Sequence, residues 1–123
     1  MTESEFQHNM AGANSLRSFS DSPSSDFWDG YARGCRRNYH GENFGTSDEH
    51  TLWLSLIHET RDPQRRFRGL GYQCGLNGTP IADAMKHCQQ AVIRSESAAT
   101  LGSYTSPAKT AAARQNAKQP RPN

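Results

Sequence analysis

The 123-residue sequence lacks long hydrophobic runs, and no stretch approaches the roughly 18 apolar residues that indicate a membrane-spanning helix. Apolar residues make up only 33% of the chain, so we expect part of it to lie outside any core. The first residues, Met-Thr-Glu-Ser-Glu-Phe, also lack the basic and apolar segments of a secretory signal. These absences predict a cytoplasmic protein that does not enter a membrane.

Cysteine is scarce, and its three copies are not arranged in close pairs: Cys35, Cys74 and Cys88. An odd number without a secretory signal predicts free, reduced thiols. Zinc sites usually contain Cys-x-x-Cys pairs, which are missing here, whereas a cysteine on the apolar face of a helix packs as a small hydrophobic residue. We therefore expect no metal and no other cofactor. The less favoured alternative is a zinc site with histidine ligands: His40, His58 or His87.

Signatures of common catalytic sites are also missing. The sequence contains no phosphate-binding loop, no dinucleotide-binding motif, no Ser/His/Asp signature and no catalytic paired-carboxylate signature. His58-Glu59 begins the zinc-protease pattern His-Glu-x-x-His, but aspartate occupies position 62. The sequence therefore predicts that the protein is not an enzyme and has no catalytic residues.

The formal net charge of +2 is unevenly distributed along the chain. Residues 1–25 contain one arginine and three carboxylates, and residues 26–95 contain nine basic and eight acidic side chains. A nearly neutral body argues against strong duplex binding. Residues 96–123 contain one glutamate and four basic side chains, and such a tail would suit an acidic partner.

Four segments have the apolar spacing of amphipathic helices, and none alternates with the period of two that indicates a strand. The first covers about residues 26–39. The second covers about residues 46–59 and begins with a capping box formed by Thr46 and Glu49. We predict that the second segment buries four apolar side chains: Leu52, Trp53, Leu56 and Ile57.

Proline marks the start of the other two segments. Pro63 follows a candidate cap, Asp62, and Pro80 follows Thr79. Together the four segments predict an all-α fold, a small bundle of about four short helices. We expect the helical domain to cover residues 25–96. The flanking residues are predicted to be disordered: an arm at 1–24 and a basic tail at 97–123.

The pattern Gly-Tyr-x-x-Gly occurs twice, at residues 30–34 and 71–75. Glycine weakens a helix interior by roughly 0.5–1 kcal/mol relative to alanine, so its repeated use in two helices needs a reason. Small residues allow two helices to approach closely. We therefore predict that the patterns lock the first helix against the third through six residues: Gly30, Tyr31, Gly34, Gly71, Tyr72 and Gly75.

Two arginine clusters adjoin the glycine patterns. They provide the candidate binding residues, together with two tyrosines: Arg33, Arg36, Arg37, Arg65, Arg66, Arg68, Tyr39 and Tyr72. The arginines would contact phosphates and the tyrosines would stack on bases. The favoured alternative is a solvated face whose charge is partly neutralised by nearby carboxylates: Asp29, Glu59 and Asp62.

A helix with Gly-Tyr-x-x-Gly followed by a second glycine–aromatic helix resembles the ribosome modulation factor group of small bacterial proteins. Short proteins of plasmids and phages share this character. The matching residues here would be Gly30, Tyr31 and Gly34, followed by Gly71, Tyr72 and Gly75. The sequence lacks the group's Cys-Pro-Tyr element and adds a helical segment around Trp53 and a fourth helix. The resemblance implies a small bacterial helical fold.

Three functional hypotheses follow. The first is a non-enzymatic accessory or regulatory module that binds another protein and is encoded on a bacterial plasmid or phage. The alternative is an RNA- or ribosome-binding modulator that uses the arginine clusters and the basic tail. A third is a metal-stabilised regulator, which elemental analysis for zinc would test. In each case a homo-oligomer would help to stabilise such a small core.

Overall fold

A computed structural model describes the backbone of residues 1–105 and the side chains of residues 1–96. No strand occurs in this part of the chain, which confirms the all-α class. None of the described helices combines the length and apolar character needed to cross a membrane. Residues 1–105 contain five α-helices and two short 3-10 turns: α1 (Glu3–Phe19), α2 (Ser24–His40), the turn Gly41–Asn43, α3 (Ser47–Ser55), the turn Leu56–His58, α4 (Pro63–Leu76) and α5 (Ile81–Thr105).

The chain divides into two compact units, residues 1–91 and residues 92–123. The contacts described below lie within the first unit. The second was predicted to belong largely to a disordered basic tail starting at residue 97. Helix α5 instead continues as far as Thr105, and residues 106–123 of the predicted tail lie outside the described residues.

Helix α1 corrects the prediction that residues 1–24 form a disordered arm. Its start has a capping box, in which Thr2 Oγ1 accepts a hydrogen bond from Glu5 N (3.1 Å) and Glu5 Oε1 accepts one from Thr2 N (2.8 Å). Asn9 and Ala13 are buried on the side of α1 that faces the domain. The sequence prediction failed because neither an asparagine nor an alanine identifies a core position, so α1 showed no apolar period.

The centre of the domain lies between α2 and α4, the predicted first and third helices. The largest fully buried side chains all belong to these two helices: Phe27, Tyr31, Cys35, Phe67 and Tyr72. Tyr31 retains a polar partner in this core, since its hydroxyl donates a hydrogen bond to the Thr79 carbonyl (2.6 Å). Burial of these aromatic rings removes a large apolar area from water and so stabilises the fold.

The four glycines of the Gly-Tyr-x-x-Gly patterns lie where α2 and α4 touch, and we call this contact the glycine seam. A Cβ atom at Gly30 would overlap the Arg68 carbonyl, and one at Gly71 would overlap the Phe27 carbonyl. The contacts advance in the same direction along both helices, so α2 and α4 are parallel at the seam. A Cβ atom at either of the other two glycines would also overlap a carbonyl of the facing helix: that of Tyr72 for Gly34 and that of Tyr31 for Gly75.

Helix α1 also contacts the beginning of α5. Asn9 Oδ1 accepts a hydrogen bond from Ile81 N (3.2 Å), so the cap of α5 comes from another helix instead of from the preceding residue. A Cβ atom at Gly12 would lie 2.9 Å from Ile81 Cγ1, which shows how closely the two segments pack. One face of α5 is buried in this unit: Ala84, Cys88 and Ala91.

Two helix starts agree with the sequence prediction. Thr46 and Glu49 form the capping box of α3, and Asp62 Oδ1 accepts a hydrogen bond from Gln64 N (3.0 Å) at the start of α4. The end of the second predicted helix differs. Helix α3 stops at Ser55 and a 3-10 turn follows, so the segment is shorter than the predicted range.

Candidate interaction surface

Arg33 lies between two aromatic rings from the segment around α3. Its guanidinium carbon is 5.0 Å from the centre of the Trp53 ring and 5.4 Å from that of Phe44. Arg33 Nη2 also lies 3.5 Å from Glu49 Oε2. Each cation–π contact contributes about 0.5–1 kcal/mol at an exposed site. Arg33, predicted to contact phosphates, thus attaches α3 to α2.

Most of the other candidate arginines also contact groups of this chain. The partners are Asp26 for Arg68, Glu59 for Arg65, the Glu59 carbonyl for Arg66 and the Phe44 carbonyl for Arg37. The shortest ion pair joins Arg68 Nη2 and Asp26 Oδ1 at 2.9 Å. Among the described side chains, no ion pair involves Arg36, which is half-buried. The neighbouring carboxylates reduce the positive field that a phosphate would meet.

The two candidate tyrosines occupy different environments. Tyr72 is only 2% exposed, and its hydroxyl lies 2.6 Å from His50 Nδ1, so its ring is not available for stacking on a base. Loss of solvent around Tyr72 raises the pKa of its hydroxyl. Tyr39 is on the surface, but one face of its ring stacks on Phe6 of α1 with 4.5 Å between ring centres.

Helix α3 contributes no buried residue to the domain. It is attached by the contacts of Arg33, by the pair formed by His50 and Tyr72, and by the Trp53 ring, whose centre is 5.6 Å from that of Tyr72. Leu52, predicted to be buried, is 53% exposed because α3 contacts α4 along another side. We define the α3 surface as four residues of this region: Arg33, Phe44, Leu52 and Trp53.

The three cysteines are free and withdrawn from solvent. Cys35 and Cys88 are buried and Cys74 is half-buried. Burial raises the pKa of Cys35 and that of Cys74 to about 11. Among the described side chains, no three histidine, cysteine, aspartate or glutamate residues converge in a geometry that would hold a metal ion. The thiols thus lie in packed, weakly reactive environments.

We expect the thiols of the native protein to react slowly with a disulfide reagent at pH 8. With a pKa of about 11, roughly one Cys35 or Cys74 side chain in a thousand is ionised at that pH, and the thiolate is the reactive form. The rate of reagent consumption, measured with and without denaturant, checks this expectation. Rapid modification of Cys35 in the absence of denaturant would contradict it.

Three of the four residues of the α3 surface are absent from the predicted binding residues: Phe44, Leu52 and Trp53. The exposure of Leu52 depends on how α3 packs, so the sequence alone contains no signal that identifies it as a surface residue. Arg33 contacts both aromatic rings, and the exposed Leu52 is the residue before Trp53 in α3. The chain matches no protein-family model, no curated protein and no solved structure.

Proposed function

We propose that this protein is a non-enzymatic accessory module that binds another protein through the α3 surface. The observation that carries the proposal is Leu52, which is 53% exposed and directly precedes Trp53, one of the two half-buried rings, with Phe44, that Arg33 contacts. Interface cores are enriched in aromatic residues and arginine, and binding hot spots are enriched in tryptophan and arginine. A partner that covers Leu52 would also remove water from the contact between Arg33 and Trp53.

The pairing of charges favours a protein partner over a nucleic acid. Arg33, Arg65 and Arg68 each lie within 4 Å of a carboxylate of the same chain. A phosphate would have to compete with these carboxylates, whereas a protein surface can contact the aromatic and aliphatic groups and leave the ion pairs in place. The three free cysteines support a reducing compartment, the cytoplasm, as the setting of this interaction.

The proposal predicts that Leu52→Asp abolishes capture of the partner. The protein is immobilised and exposed to extract of a bacterial host, with and without nuclease, and captured proteins are identified by mass spectrometry. We expect a partner whose capture survives nuclease and falls at least about tenfold with Leu52→Asp, since a carboxylate would have to be desolvated in the interface.

Thr51→Asp is the matched control, because it introduces the same charge at the neighbouring exposed position of α3. We expect this variant to capture the partner as the wild type does. Equal loss with both substitutions would indicate a general effect of charge on α3 and contradict the assignment to Leu52. Capture that disappears with nuclease would instead favour the nucleic-acid alternative.

The alternative proposal is an RNA- or ribosome-binding modulator. Its support is the sequence of residues 96–123, with four basic side chains and one acidic side chain, together with the half-buried Arg36. This alternative predicts retention on ribosomes that weakens as salt concentration rises and that is reduced further by Arg36→Ala with Arg66→Ala.

A further inference from the structure

We propose that two copies of this chain associate by reciprocal insertion of Phe19 of each copy into a cavity of the other. This inference concerns the end of α1 and the beginning of α2 and does not rest on the α3 surface. It follows from two neighbouring features of the first unit: a cavity of the size of a phenyl ring and a phenylalanine that projects into solvent.

The cavity lies among the end of α1, the beginning of α2 and the first half of α5. Its volume is about 160 Å³, and Leu16, Trp28 and Met85 form its apolar wall. A cavity of about 150 Å³ lined by apolar side chains is known to hold benzene, so this one has room for a phenyl ring. Ser20, Ser24 and Cys88 add polar atoms to the remainder of the lining.

Phe19 is the last residue of α1 and is 88% exposed, the highest exposure recorded for a large hydrophobic side chain in this structure. Leu16, one turn earlier, and Ser20, the next residue, both line the cavity. The phenyl ring and the opening of the cavity are therefore close together on the surface. The ring of Phe19 itself does not fill the cavity, since nearly all of its surface remains in contact with solvent.

Two-fold symmetry makes this arrangement self-complementary. In a two-fold symmetric interface, each contact occurs twice. If Phe19 of one copy enters the cavity of its partner, Phe19 of the partner enters the cavity of the first copy. One dimer therefore contains two phenyl insertions. Met85, which is 38% exposed and lines the cavity, would be covered at the same time. Removal of these apolar groups from water drives the association.

Sedimentation velocity over a range of protein concentrations tests the proposal. We expect the wild-type chain to dimerise reversibly and Phe19→Ala to raise the dimer dissociation constant by at least about tenfold. Ser24→Leu, which places a larger side chain in the cavity wall, is expected to have the same effect. Gln89→Arg, at an exposed position of the cavity lining, is a second variant that blocks the cavity. Circular dichroism verifies that each variant is folded.

A mixing experiment separates reciprocal insertion from general hydrophobic association. Phe19→Ala retains an open cavity, and Ser24→Leu retains the phenyl ring, so a mixed dimer has one insertion whereas each variant alone has none. We expect the mixture to dimerise more tightly than either variant alone. Leu52→Ala removes another exposed apolar side chain and is expected to leave dimerisation unchanged.

A monomeric wild-type protein at all concentrations would overturn the proposal. So would an unchanged dissociation constant for Phe19→Ala, or a mixture no more associated than its components. Loss of dimerisation with Leu52→Ala but not with Phe19→Ala would show that copies associate through the α3 surface instead. Because Leu52 and Phe19 lie on different helices, failure of this proposal and failure of the proposed function give different results.

Discussion

The Gly71→Ala variant is expected to be less stable than the wild type by at least about 2 kcal/mol, although alanine is the better helix former. The added Cβ atom would overlap the Phe27 carbonyl and would lie 2.8 Å from Tyr31 N. Both obstacles are backbone atoms of α2, which cannot turn aside as a side chain can. The glycine seam would have to open, and the buried rings on both sides would lose contact. Urea denaturation measures the change in the free energy of unfolding.

Gly12→Ala is the matched control, because Gly12 also lies within a helix and near another segment. Its added Cβ atom would come closest to the Ile81 side chain, 2.9 Å from Cγ1, and not to a backbone carbonyl. The gain in helix propensity, about 1 kcal/mol, offsets part of the shift that Ile81 must make, and we expect a clearly smaller loss of stability than with Gly71→Ala. Equal effects of the two substitutions would show that close approach at the seam does not determine stability.

Ala13→Asp is expected to destabilise the protein by about 3 kcal/mol or more. Ala13 is 1% exposed on the inward face of α1, so an aspartate there would lose its hydration, and Arg17, one turn later, is exposed and already pairs with Asp29. The buried charge would weaken the packing of α1 on the rest of the unit. It would thereby also weaken the hydrogen bond from Ile81 N to Asn9 that caps α5. Thermal denaturation followed by circular dichroism measures the decrease in melting temperature.

Ala11→Asp provides the comparison, since Ala11 lies two residues earlier in the same helix and is exposed. The two variants have the same composition and nearly the same intrinsic helix propensity. If α1 packs as described, only Ala13→Asp lowers the melting temperature substantially. If residues 1–24 were a disordered arm, both substitutions would leave the melting temperature unchanged, and the position of α1 would be contradicted.

The central helices could be predicted because their signals are local. Apolar spacing and the caps at Thr46 and Asp62 depend on residues within one or two turns, and the structure has helices that begin at these caps. Helix α1 was missed because its buried face consists of small and polar residues. Asn9 is buried only because its amide oxygen meets Ile81 N, a contact across 72 positions that no local pattern contains.

The candidate surface was less predictable for a related reason. The arginines are evident in the sequence, but their pairing with Asp26, Glu49 and Glu59 depends on how helices pack. The exposure of Leu52 likewise depends on which side of α3 contacts α4. Spacing identified residues with suitable chemistry, whereas packing decided which of them remain accessible.

The glycine seam has a mechanical consequence. Suppose that α4 slid by one helical turn toward the C-terminal end of α2. Asn38 would then face the Tyr72 carbonyl, and Phe67 would face the Phe27 carbonyl. Each has a Cβ atom where the present register has only a glycine hydrogen. Sliding in that direction is therefore opposed by two overlaps between a Cβ atom and a carbonyl. Adjustment to a partner is easier in α3, whose ion pair, hydrogen bond and ring contacts can break and re-form while α2 and α4 stay in place.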